Sequence, residues 1–106
     1  MTIQTITVPR RLDAVSAPQL RATIITAVEA GVPRLVLDCS ATEFIDSSGL
    51  AALVSGHKAM RLKKGIFALT GIQGGARDIF DLTRMDLVFT MYPTLTDAMT
   101  ALGVVE

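Results

Sequence analysis

With 106 residues, half of them hydrophobic, the chain has material for one core and no second domain, so residues 1–106 are expected to fold as a single unit. Ten basic and ten acidic residues cancel, which removes the global field that would draw the protein onto nucleic acid or an anionic membrane. Cys39 has no second cysteine to pair with, one histidine and one cysteine make no zinc site, and no signal peptide or spanning apolar run is present, so a cytoplasmic protein is expected.

In chain order, Ile3 to Val8 carries β-branched residues on both faces and stops at Pro9, which predicts a well-covered strand. After a loop from Arg10 to Val15, Ser16-Ala17-Pro18-Gln19 combines a capping serine, a first-turn proline and a glutamine at the capping-box position. A helix to Ala30 follows, closed by Gly31, with Leu20, Ile24, Ala27 and Val28 as its packing stripe. Arg34 to Asp38 reads as a buried strand. Leu50, Leu53, Val54, His57 and Met60 then recur at helical spacing on a helix from about Ser48 to Lys64, ended by Gly65.

Ile66 to Thr70 is the next strand, and the loop Gly71 to Gly75 leads into a short helix carrying Ala76, Ile79, Phe80 and Leu82. Leu87 to Thr90 is the last strand. The closing helix opens at Thr94, with Asp97 complementing its positive end, and stops at Gly103. Strand and helix thus alternate, which argues for an α/β fold with a roughly four-stranded, largely parallel or mixed central sheet and about four helices packed against it. Sites in such sheets lie at strand C-terminal ends, where Asp38 to Ser48 falls.

The segment Phe44-Ile45-Asp46-Ser47-Ser48-Gly49-Leu50 places an acid, two hydroxyls and a glycine where a strand hands over to a helix. Asp46, Ser47 and Ser48 are all residue types that cap helices. Gly49 is costly so early in a helix, roughly 1 kcal/mol against alanine, and glycine lets another molecule approach the backbone. FIDSSGL, preceded by LVLDCS, resembles the signature of STAS domains, and more narrowly that of the bacterial anti-sigma factor antagonists; the likeness extends from Arg11-Leu12-Asp13-Ala14 to Thr96-Asp97-Ala98-Met99. Pro9-Arg10 departs from the family pattern, and the family's usual first strand has no counterpart ahead of Ile3.

The resemblance implies Ser48 as a phosphoryl acceptor, with Ser47 second, and a partner-binding surface of Asp13, Asp46, Ser47, Ser48, Gly49 and Leu50. It implies as partners an anti-sigma factor with serine kinase activity and a serine phosphatase, with no cofactor and a monomer or weak dimer. A STAS scaffold subunit in a stress-signalling, secretion-regulating or lipid-transport ABC complex is the alternative. Catalysis by the chain itself is not expected: Ser48 and His57 are nine residues apart on one helix, too far for an activating hydrogen bond, and the nucleophile elbow lacks its first glycine. Gly71 to Gly75 has neither the Walker lysine nor the dinucleotide spacing. His57 reads as a partly buried, hydrogen-bonded structural residue, and Arg61 to Lys64 as the cationic end of a helix.

Overall fold

The computed structural model describes residues 2–103. Strands β1 (Ile3–Thr7), β3 (Arg34–Asp38), β5 (Ile66–Thr70) and β6 (Thr90–Tyr92) form a four-stranded sheet in the order β1-β3-β5-β6, every pair parallel. Helices α1 (Ala17–Glu29), α2 (Ser47–Leu62), α3 (Gly74–Thr83) and α4 (Leu95–Ala101) alternate with them. A second, two-stranded parallel sheet joins β2 (Arg11–Leu12) to β4 (Phe44–Ile45).

Register explains the layering. Ile6 opposes Leu37, Leu35 opposes Phe67 and Leu37 opposes Leu69, so these side chains share one face. They enter one core with Leu20, Ile24, Ala27 and Val28 of α1, the stripe read from the sequence, and with Leu53 and Met60 of α2. Val36 opposes Ala68 on the other face, where α4 packs over β5 and β6. Thr5 and Thr7 also lie on that face and are exposed, so β1 is covered on one side and not on both.

Several boundaries differ from the sequence reading. Met85–Leu87 is a 3-10 turn, and the last strand starts at Thr90 instead of Leu87. Leu82, read with Ala76, Ile79 and Phe80 as one of the apolar residues of α3, is 81% exposed. Helix α2 ends at Leu62 and turns through a left-handed Lys64 (φ 59°), which takes the role expected of Gly65. Gly65 is needed for space, since a Cβ there would lie 2.6 Å from Met60 Cε and 3.0 Å from the Pro33 carbonyl oxygen. The deepest line on α2 runs through Gly49, Ala52, Leu53, Gly56 and Met60, leaving Leu50, Val54 and His57 half-buried on its flanks.

Candidate functional site

The short β2/β4 sheet brings two distant segments of the sequence together. Arg11 opposes Phe44 and Leu12 opposes Ile45. Leu12 and Ile45 point into the core, while the Arg11 guanidinium lies 4.4 Å over the Phe44 ring on the outside. One residue on, the Asp46 amide donates to the Leu12 carbonyl (3.1 Å). Asp46, in extended conformation, is the N-cap of α2, and its carboxylate accepts from the Gly49 amide at 3.0 Å. Because Asp46 does the capping, the hydroxyls of Ser47 and Ser48 are left free for other chemistry.

Gly49 has a different role from the one its position suggested. It is buried, and a Cβ there would fall 2.5 Å from the Leu12 carbonyl oxygen, 2.8 Å from Leu12 Cγ and 3.0 Å from Ile45 Cγ2. The glycine is required by the seat of α2 on β2 and β4, and it opens no approach for a molecule from outside.

Asp13 sits beside this junction and builds the start of α1. Its carboxylate accepts from the amides of Val15 (3.0 Å) and Ser16 (3.2 Å), and its own amide donates to Ser16 Oγ (3.1 Å). The Ser16 hydroxyl in turn donates to the Arg11 carbonyl at 2.6 Å. This reciprocal pair is a capping box, set one turn before the Ser16–Gln19 pair read from the sequence; Ser16 directly precedes α1 and its carbonyl accepts from the Leu20 amide (3.2 Å), but its hydroxyl makes no capping bond to the helix. These backbone donors, the Ser16 amide foremost, hold the Asp13 carboxyl below its ordinary value of 3.8. Its contribution to stability is therefore present above that value and lost as pH falls through the folded-state value. Asp13→Ala and Ser16→Ala should each lower the thermal midpoint, and Asp13→Asn, which can still accept, should lower it less; equal midpoints for the alanine and asparagine variants would refute the box.

A groove of about 1210 Å3 runs between α1 and α2, and Ser47 and Ser48 lie at its head. Ser47 is exposed and Ser48 half-buried, so accessibility orders the two hydroxyls opposite to the order the resemblance implies. Leu50 and Val54 contribute half-buried apolar surface to the groove, and Ala22 and Ala51 keep it open by being small. Arg21 and Lys58 also line it. Neither had been singled out in the sequence, although Pro18, Arg21, Ala22 and Ile25 on α1 and Ala51, Val54, Ser55 and Lys58 on α2 each recur at the spacing of one helix face.

This architecture has close counterparts. The family model of the STAS domain matches residues 2–98. An anti-sigma factor antagonist from Mycobacterium paratuberculosis is 35% identical, with a TM-score of 0.83 over 93% of this chain and 84% of that one. The chain belongs to the STAS family. A STAS anti-sigma-factor antagonist domain protein from Planctomyces limnophilus is 27% identical, with a TM-score of 0.83 over 95% of this chain and 90% of that one. At 22% identity the fold is shared with the antagonist SpoIIAA, solved unphosphorylated (TM-score 0.76, over 97% and 91%) and, from Bacillus, phosphorylated (0.73, over 94% and 90%). The chain is thus a STAS domain of the anti-sigma factor antagonist type.

The single cysteine of this STAS domain is built into its interior. Cys39 is buried, and burial together with the neighbouring Asp38 pushes its thiol up to about 12, so it is neither nucleophile nor thiolate ligand at neutral pH. Among the described residues no three His, Cys, Asp or Glu side chains cluster as metal ligands, and no helix is long and apolar enough to cross a membrane. A second cleft of about 630 Å3, at the C-terminal ends of β3, β5 and β6, is lined by the glycine loop, with Gln73 Nε2 bonded to the Ser40 carbonyl.

His57 corrects its sequence reading in one respect. It is half-buried, edge-on to Phe67 (5.9 Å) and Phe89 (5.4 Å), but its buried Nδ1 has no hydrogen-bond partner, so packing against rings holds it and not a bond at that nitrogen. Burial, and secondarily Arg61 one turn away, lowers its pKa below the ordinary 6.5. As pH falls the unfolded chain takes up this proton first, so the stability linked to neutral His57 is full above 6.5 and lost as pH drops through the folded-state value. Urea midpoints at about pH 7.5 and about pH 5.5 should therefore differ more for wild type than for His57→Phe, and an unchanged difference in the variant would contradict this.

Proposed function

We propose that this domain is a phosphorylation-switched binding module. Unmodified, it captures an anti-sigma factor that is also a serine kinase and so releases a sigma factor; phosphorylated on the Ser47-Ser48 pair, it lets the kinase go, and a serine phosphatase restores it. The observation that carries the reading is the capping of α2 by Asp46, which leaves both hydroxyls uncommitted at the head of a groove. A phosphate here would face the free amides of a helix N-terminus, where negative charge is tolerated, so modification leaves the fold in place. The existence of SpoIIAA structures in both states, on the same fold as this chain, supports that expectation.

In this reading the chain is substrate and ligand and performs no catalysis. Ser48 is the acceptor implied by the resemblance, while its greater exposure favours Ser47. Asp13, Asp46 and Leu50 border the docking surface, Asp13 with its carboxylate already engaged in the capping box. Intact mass of the protein from its native host, with mapping of residues 44–58 before and after phosphatase treatment, tests the proposal. Phosphate on Ser47 or Ser48 supports the switch; its absence under both growth and stress conditions favours a constitutive STAS scaffold in another complex.

A further inference from the structure

The α1/α2 groove has a charge that the chain as a whole lacks. The sequence is neutral, yet the lining of the groove holds two cations, Arg21 and Lys58, and no acidic residue. Its lining runs from Ala17 to Ile25 on α1 and from Ser47 to Lys58 on α2, with Ala14 in the turn before α1, Thr83 at the end of α3 and Met85 just beyond it closing the rest. At 1.5 Å per residue the α1 wall is about 12 Å long and the α2 wall about 16 Å, two to three helical turns. The walls are helices and no free strand edge lines the channel, so an extended occupant would find no backbone partners there, whereas a helix brings its own satisfied.

We infer that the groove receives an amphipathic helical segment of the kinase partner, its apolar stripe set between Ala22 and Ile25 on one side and Ala51 and Val54 on the other, its acidic side chains against Arg21 and Lys58. The inference rests on the switch reading and deepens it. A phosphoryl group of about −1.5 to −2 charge at the head of the groove offsets the two cations and repels the near end of an acidic segment, so one modification removes the positive charge that attracts it.

The test needs no identified partner. A synthetic acidic amphipathic helix of about 16 residues, leucines on one face and glutamates on the other, is titrated into the isotope-labelled protein alongside the same peptide with every Glu→Lys. The acidic peptide should shift the amides of Ala22, Ile25, Ala51 and Val54 saturably and bind at least about tenfold tighter than the basic one. In Arg21→Glu/Lys58→Glu the preference should reverse, and Ala51→Trp should remove binding of both peptides. All three positions are exposed, so the variants should keep the dispersed spectrum of the fold. Absence of saturable shifts along the groove, or a charge preference that survives the double reversal, overturns the inference. Phosphate on the serines together with a silent groove overturns the docking mode and spares the switch; a responsive groove on a protein never phosphorylated keeps the docking mode and discards the switch.

Discussion

Phosphorylation of Ser47 or Ser48 is expected to weaken partner capture about a hundredfold while the domain stays folded. At an effective dielectric near 20, unit charges about 5 Å apart interact by roughly 3 kcal/mol, which is about two orders of magnitude in affinity. A phosphoryl group carries more than one charge, must be desolvated wherever a partner covers it, and lies close to the Asp46 carboxylate. Inside the free protein the same charge meets free helix-terminal amides and costs little. Titration calorimetry with the partner recovered on Ser47→Ala/Ser48→Ala bait should show the loss for the phosphorylated protein, and a partial loss for Ser47→Asp and Ser48→Asp, which carry less charge. Undiminished affinity in the phosphorylated protein would end the switch reading.

Gly49→Ala should be the most damaging small substitution in the molecule. The added methyl would sit 2.5 Å from the Leu12 carbonyl oxygen, and that atom is main chain, fixed by the hydrogen bond from Asp46. Either the start of α2 lifts or β2 moves, and both break the junction. Overpacking of this kind costs about 3 kcal/mol, which lowers the melting temperature of a domain this size by on the order of 15 °C. Trimming Leu12 to alanine relieves the 2.8 Å contact with its Cγ and not the carbonyl contact, so Leu12→Ala should fail to rescue Gly49→Ala. Gly56→Ala meets side-chain atoms of Ile24 and Phe67 at 2.8 to 3.2 Å, groups that can shift, and should cost less. Urea and thermal unfolding of the three variants decide the matter; Gly49→Ala as stable as wild type would mean that α2 is seated differently. A binding defect of a Gly49 variant would then report lost structure, not a lost partner contact.

The parts of the fold that sequence made legible are those with several repeats of one period. The stripe of α1 covers three turns, and β3 and β5 carry apolar runs, Leu35-Val36-Leu37 and Ile66-Phe67-Ala68-Leu69, so their core faces followed directly. The short sheet of β2 and β4 was invisible because two residues carry no period. At the α1 start, Asp13–Ser16 and Ser16–Gln19 both have capping-box spacing, and only the main-chain path from β2 selects the first. Leu87-Val88-Phe89-Thr90 looked like a strand because it is apolar, yet only Phe89 is buried, anchored among Phe67, Phe80 and His57, while Leu87 closes a turn. The site motif was read in the right place, but the division of labour within it, Asp46 as cap and Gly49 as spacer, depends on Leu12, more than thirty residues upstream.

The Leu12 carbonyl has one further consequence. It takes the amide of Asp46 on one side of the junction, while on the other side the Arg11 carbonyl takes the Ser16 hydroxyl. Two adjacent peptide groups therefore moor the first turns of both long helices. Displacing β2 loosens both helix starts together, so the entry points of α1 and α2 are expected to open as one cooperative unit. A partner that draws the Ser47-Ser48 turn outward would work against both helix starts at once, and whatever tightens the Arg11–Ser16 loop would stiffen that turn as well.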